Sequence, residues 1–308
     1  MRELFGDGLM PHHVLTLLDI PSPVLTGLID RGLEMKTDRY VCRILANKTL
    51  ALVFEKSSTR TRVSFEVAIN ELGGTPLFMT SSESQLGRSE PLKDAVRCLS
   101  RYAQGMIVRT YAQDDLREIS RYAQIPVINA LTDSYHPCQV LSDLMTIAEH
   151  TQDFSQVTVA WIGDGNNMAH SWINAARLLP FRLRMAIPKG FEPDQHILRE
   201  ARENGADIVL GDDPQAAVRE AEFINTDAWF SMGQEDEEDS RSQAFADFQI
   251  NDRLVELAPS TAKVMHCLPA HRGQEISDEV LESERSLVWD QAENRLHMQK
   301  ALLEWVYS

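Results

Sequence analysis

Basic residues are in short supply. Lysine and arginine number 30 against 46 aspartates and glutamates, a formal net charge of −16. A surface of that sign repels phosphate backbones and anionic membranes, so neither nucleic acid nor a membrane is an expected partner. A small anionic ligand stays open, because a local arginine cluster overrides the global sign. Long apolar runs are missing too. None approaches the ~20 residues of a membrane-crossing helix. Glu3, Asp7 and Asp19 interrupt the start of the chain, where a secretory leader would need a basic start and an apolar stretch. Cysteine is sparse, at four in 308 residues. Cys42, Cys98, Cys138 and Cys267 stand far apart with no Cys-x-x-Cys pair, which excludes a disulfide framework and a cysteine-bound zinc. These absences point to a reduced, cytoplasmic protein.

What is present is an ordinary folded composition, 43% hydrophobic and 25% charged, long enough for two domains. Short β-rich runs alternate with helical spacing. Candidate strands are 49–54, 76–79, 106–109 and 126–129, then 157–162, 183–187, 207–210, 222–226, 262–267 and 286–289. Between them lie stretches such as Val63, Val67, Ala68 and Leu72, closed by Gly73-Gly74. Such alternation gives an α/β fold of two doubly wound parallel sheets, each covered on both faces. Residues 136–150 read as one helix with Pro137 in its first turn and Val140, Leu141, Leu144, Met145 and Ala148 apolar, a bridge between the two domains. The expected division is a domain over 1–135, the bridge over 136–150, a second domain over 151–289 and a tail over 290–308. Within that tail, residues 291–307 carry helical spacing suited to packing back on the first domain. The acidic run 235–239 reads as solvated loop.

Four segments carry chemistry. Lys56-Ser57-Ser58-Thr59-Arg60-Thr61-Arg62 follows a strand and opens a helix. Hydroxyls and arginines at a helix N-terminus, with its unpaired N–H groups, suit a phosphate. His136-Pro137-Cys138-Gln139 starts the bridge; the histidine can donate to a carbonyl oxygen, and Gln139 offers both amide polarities. Asp227 ends a strand ahead of Ser231-Met232-Gly233 and suits a cationic group. His266-Cys267-Leu268-Pro269 ends another strand. Cys267 invites a thiol-nucleophile reading, but no base accompanies it, so pocket lining is favoured. All four lie at carboxyl ends of candidate strands, where α/β sheets bind ligands, two in each half of the chain. Gly163-Asp164-Gly165-Asn166-Asn167-Met168-Ala169 imitates a dinucleotide fingerprint. The next strand, however, ends Ala186-Ile187-Pro188-Lys189, without the acid a ribose needs. Asn166 and Asn167 suit an amino-acid head group instead.

Ser58-Thr59-Arg60-Thr61-Arg62 with Ser64-Phe65-Glu66, then His136-Pro137-Cys138-Gln139, then His266-Cys267-Leu268-Pro269, resemble the aspartate/ornithine carbamoyltransferase family, in the same order and nearly end to end. Phe54-Glu55-Lys56, Gly163 to Asn167, Asp227 with Ser231-Met232-Gly233, and Ala292-Glu293-Asn294-Arg295 resemble its ornithine-using branch. The aspartate-using branch carries an arginine-bearing segment where Ser-Met-Gly stands here. The resemblance implies transfer of the carbamoyl group of carbamoyl phosphate to the side-chain amine of L-ornithine, giving citrulline and phosphate within arginine biosynthesis, with no cofactor and no metal. It implies that Ser58, Thr59, Arg60, Thr61 and Arg109 hold the phosphate. His136, Gln139 and Arg295 would hold the carbamoyl group, next to Pro137 and Cys138, the variable position of His-Pro-x-Gln. Asn167, Asp227, Ser231 and Met232 would hold ornithine, and Cys267 and Leu268 would complete the pocket. Arg60, Arg109, His136, Gln139, Cys267 and Arg295 would be the catalytic set. It further implies a homotrimer in which Gln85 serves the neighbouring subunit's site. The rivals are an enzyme using acetylated or succinylated ornithine or putrescine, and an inactive metabolite-binding homologue.

Overall fold

A computed structural model describes residues 12–80, 90–151, 153–230 and 238–308. The chain runs through α1 (Ser22–Thr37), β1 (Thr49–Phe54), α2 (Thr59–Glu71), β2 (Thr75–Thr80), α3 (Leu92–Tyr102), β3 (Gly105–Arg109), α4 (Gln113–Tyr122) and β4 (Val127–Leu131). After α5 (Pro137–Ala148) come β5 (Thr158–Ile162), α6 (Asn167–Leu178), β6 (Arg182–Ala186), α7 (Gln195–Glu203), β7 (Ile208–Gly211), α8 (Pro214–Val218) and β8 (Phe223–Thr226). The chain closes with α9 (Glu238–Phe245), α10 (Asp252–Val255), β9 (Lys263–His266), α11 (Asp278–Leu281) and α12 (Val288–Val306).

The strands form two parallel sheets, ordered β2-β1-β3-β4 and β7-β6-β5-β8-β9. Their central strands are mostly apolar and shielded, as helices on both faces require: β3 and β5 are buried at every position. The order fixes where a ligand fits. From β1 the chain crosses to β2 on one side and then to β3 on the other, so the loops after β1 and β3 diverge and leave a crevice. In the second sheet the same reversal falls between β5 and β8. Such switch points bind ligands in open α/β sheets.

α5 joins the sheets and is buried all round, because both domains pack on it. One apolar cluster runs from Leu50 and Leu52 of β1 through Leu144 of α5 to Val159 and Trp161 of β5. α12 packs back on α1, α2 and α5. Gly32 permits that return: a Cβ there would stand 2.6 Å from the Met298 sulfur. Among the described residues, no helix is long and apolar enough to cross a membrane.

Two sequence expectations need correction. Residues 286–289 are not a strand. Ser286 makes a single bridge to Val264, Leu287 N–H donates to the Val264 carbonyl at 2.8 Å, and α12 begins at the next residue. A four-residue apolar run fits a strand or a helix start equally well by pattern, and here the 19-residue helix prevails. The apolar spacing read on α2 also does not coincide with its buried face. Phe65, Ala68, Ile69 and Leu72 are buried, whereas Val63 and Val67 are 50% and 37% exposed.

Candidate functional site

The loop after β1 enters α2 through Ser58, whose Oγ accepts from the Thr61 N–H at 3.3 Å. The cap leaves the helix N-terminus open, with Thr59 and Arg60 exposed beside it. Glu55 bonds Thr110 and Lys56 bonds Asp133, so the loop is tied to the ends of β3 and β4. Arg109 is the last residue of β3, where the pairing with β4 slips by one residue between Val108 and Arg109. An irregularity of that kind re-aims a side chain. Arg109 is buried, and burial, with Arg295 and Arg60 adding repulsion, draws its guanidinium down to about 10. It remains a cation at neutral pH.

His136 caps α5 and Pro137 is its first residue. The His136 N–H donates to Ser171 Oγ at 2.8 Å, and Ser171 donates to the Asn167 carbonyl at 2.7 Å, so the second domain holds the histidine's backbone. Burial first, then the charges of Arg295 and Arg109, push the His136 pKa well below its ordinary value, leaving it neutral. Gln139 donates Nε2 to Asp143 Oδ1 at 2.9 Å and accepts at Oε1 from Arg295 Nη1. Arg295 reaches from α12 and also donates Nη2 to Thr61 Oγ1 at 3.2 Å. Arg109 Nε, His136 Nδ1 and Arg295 Nε are buried with no hydrogen-bond partner among the described residues. Unsatisfied polar atoms gathered in this way fit a ligand rich in oxygen. Arg295 also lines a cavity of about 360 Å³, together with Thr59, Arg60, Gln139, Cys267 and Gln291, with Val63 and Val67 at its apolar side.

The second-sheet half is built at the β5–β8 switch point. Asp227 follows β8. Its Oδ1 accepts from the Ala228 N–H and from the Cys267 thiol, each at 2.8 Å, and its Oδ2 accepts from Asn166 Nδ2 at 3.2 Å. Asn166 also caps α6, accepting from Met168 and Ala169 N–H. Burial first, then Asp227, raise the Cys267 thiol well above its ordinary value. It is a protonated donor and not a nucleophile. Leu268 sits at φ 58° before a cis bond to Pro269, its N–H donating to His266 Nδ1 at 2.8 Å.

The remaining expected residues have partners within the protein or fall outside the described residues. The Cys138 thiol points into the core, donating to the Asn129 carbonyl at 3.3 Å, and burial raises it to about 12. Asn167 Nδ2 donates to the Thr132 carbonyl at 2.7 Å, across the seam between domains. Gln85, Ser231 and Met232 lie outside the described residues. Sequence reasoning missed Ser171, Asp143 and Gln291, and it gave Asn166 no role against Asp227. The two adjacent asparagines were the only visible signal. Gly165 has a packing reason of its own: a Cβ there would lie 2.3 Å from Pro193 N, so the glycine serves a close backbone crossing.

Fold and site thus define a two-domain parallel α/β protein, with an open helix terminus carrying hydroxyls and arginines at one switch point and a half-buried aspartate, Asp227, at the other. The chain belongs to the aspartate/ornithine carbamoyltransferase family. Residues 12–149 match the family's carbamoyl-P binding domain and residues 155–306 its Asp/Orn binding domain. An ornithine carbamoyltransferase of Nitratidesulfovibrio vulgaris is 56% identical over 97% of this chain and 100% of its own length. One from Geobacter sulfurreducens is 48% identical over 96% and 98%. The crystal structure of ornithine carbamoyltransferase from Pyrococcus furiosus superposes with a TM-score of 0.91 at 43% identity, covering 97% of each chain.

Proposed function

We propose that the protein transfers the carbamoyl group of carbamoyl phosphate to the side-chain amine of L-ornithine, releasing L-citrulline and phosphate. The observation that carries this reading is the double contact of Arg295, which bonds Gln139 and Thr61 at once and so joins the carbamoyl-binding helix to the phosphate-binding one. The relatives, all named ornithine carbamoyltransferases, support it over essentially the whole chain.

In this account Ser58, Thr59, Arg60, Thr61 and Arg109 hold the phosphate. Neutral His136 and Arg295 donate to the carbamoyl oxygen and Gln139 orients the amide. Pro137 and Cys138 contribute through the helix start they build. Asn167 and Asp227 hold ornithine with Ser231 and Met232, and Cys267 and Leu268 close the pocket. The amine attacks the carbamoyl carbon, charge develops on its oxygen where the donors wait, the C–O bond breaks with phosphate taking the bonding pair, and the proton the nitrogen sheds balances the product as hydrogen phosphate. Phosphate is already a good leaving group, so positioning and electrostatics suffice and no cofactor is called for. The amine must be neutral to attack. With a lysine-like pKa of ~10.4, only about 1 part in 2,500 is neutral at pH 7, a handicap of roughly 4.6 kcal/mol that the site must overcome.

The finer parts of the proposal are a cytoplasmic enzyme of arginine biosynthesis, assembled as a homotrimer with Gln85 completing the neighbour's site. Exposed Leu77 on β2, the edge strand of the first sheet, is in keeping with such an assembly. An acceptor panel tests the reaction. Free ornithine should be carbamoylated with kcat/KM at least ~100-fold above N-acetylornithine, N-succinylornithine, putrescine and aspartate. A preference for any of those four contradicts the assignment.

A further inference from the structure

Asp143 lies one turn beyond Gln139 on α5, with no exposed surface at all. Its Oδ1 accepts from two glutamines at once, Gln139 Nε2 at 2.9 Å and Gln291 Nε2 at 2.7 Å. Its Oδ2 accepts from Asn225 Nδ2 at 3.4 Å. These donors come from the bridging helix, from α12 and from β8 of the second sheet. Each glutamine hands the pattern on: Gln139 Oε1 accepts from Arg295, and Gln291 Oε1 accepts from the His266 N–H at 2.8 Å. One chain of hydrogen bonds therefore runs from Thr61 on α2, through Arg295, Gln139, Asp143 and Gln291, to the strand end that carries Cys267.

The direction of every bond in that chain is set at Asp143. A side-chain amide has one donor end and one acceptor end. An acceptor buried between two glutamines turns both NH₂ ends inward, and both oxygens then face outward. If either glutamine turned over, an NH₂ would oppose the Arg295 guanidinium or the His266 N–H, and two buried donors would be left facing one another. Asp143 makes no ion pair among the described residues. Its hydrogen bonds, and not a direct counter-charge, hold it there.

We propose that Asp143 is a positioning residue for carbamoyl transfer: its shared oxygen holds the amide orientations of Gln139 and Gln291, and through them keeps Arg295 and the Cys267–Leu268 backbone in register across the two domains. The proposal rests on the reading of Gln139 and Arg295 as carbamoyl-group ligands. It adds to that reading a residue that touches neither substrate.

Asp143→Asn and Asp143→Leu separate the possibilities. Asparagine keeps an acceptor at the shared position. Its NH₂ replaces Oδ2 and meets Asn225, whose own Oδ1 is buried without a partner and can accept once that side chain turns. Leucine has similar volume and no acceptor. The expected result is a kcat within about tenfold of wild type for asparagine and at least ~100-fold lower for leucine, with the KM for carbamoyl phosphate changed less than ~5-fold in both, because α2 and Arg109 hold the phosphate whichever way Gln139 points. A folded leucine variant with wild-type kcat overturns the proposal, as does an asparagine variant as impaired as leucine. If Asp143→Leu does not fold, Gln291→Met carries the test by freeing one arm. A kcat at least ~10-fold lower with unchanged carbamoyl phosphate KM supports the proposal, and full activity overturns it. Wild-type protein that makes no citrulline defeats the functional reading instead, so the two failures are distinct.

Discussion

The Cys267 thiol donates its proton to Asp227 Oδ1 at 2.8 Å, joining the end of β9 to the end of β8 across the pocket. Burial and the neighbouring carboxylate both disfavour the thiolate, so Cys267 shapes the acceptor pocket without attacking anything. Cys267→Ala removes one of three donors to Asp227. We expect the KM for ornithine to rise ~3–10-fold and kcat to stay within about fivefold. Steady-state kinetics check this, and a loss in kcat beyond a thousandfold would falsify the passive role.

Asp227 accepts three hydrogen bonds, from Asn166, Ala228 and Cys267, at the end of β8. Asp227→Asn keeps the shape, removes the charge and exchanges one acceptor for a donor. The expected outcome is a fall in kcat/KM for ornithine of ~100-fold or more, with carbamoyl phosphate binding, measured alone by calorimetry, within about threefold of wild type. Equal weakening of both substrates means that Asp227 is structural.

The ends of the strands were legible in the sequence because each local signal agreed with the fold. Thr49 to Phe54 is apolar and bounded, Ser58 is a good cap, and Pro137 suits a first turn. The parts that stayed hidden are long-range. Arg295 meets Gln139 and Gln291 meets Asp143 across some 150 residues, and no periodicity encodes such a pair. The exposure of Val63 and Val67 was hidden for a related reason: a helix stripe shows which residues are apolar, and the cavity beside α2 takes part of that stripe from the core.

Folding stability should depend on pH through His136 and His170, both lowered from the ordinary histidine value chiefly by burial. Their folded pKa values lie below the unfolded 6.5, so the unfolded chain binds more protons as pH falls past that point, and stability is lost on the acid side. Each such group contributes at most about 1.4 kcal/mol per pH unit. Asp143, raised to about 6 by burial, acts in the opposite sense, gaining protons on folding. His13 and His297 are lowered in the same way and Asp164 is raised like Asp143, so four histidines oppose two aspartates, and the histidines prevail between pH 6 and 7. Urea melts should show stability rising from pH 5.5 to 7.5, and a flat or falling profile contradicts this assignment.

Shared sites make a counting prediction. Arg60 and Gln85 belong to the same site but to different subunits in the trimer proposed here. Arg60→Ala and Gln85→Ala should each be nearly inactive alone. Refolded together in equal amounts, about three quarters of trimers are mixed and each rebuilds one site of three, so about a quarter of wild-type activity returns. Recovery no greater than the mean of the two pure variants sinks the shared-site arrangement.

The most direct test is to incubate the purified wild-type protein, in EDTA and without added metal, with carbamoyl phosphate and L-ornithine, and to measure citrulline and phosphate together. The account predicts enzyme-dependent formation of both in equal amounts, unchanged by the chelator. Phosphate release without citrulline, or activity that returns only when zinc or magnesium is restored, would contradict it.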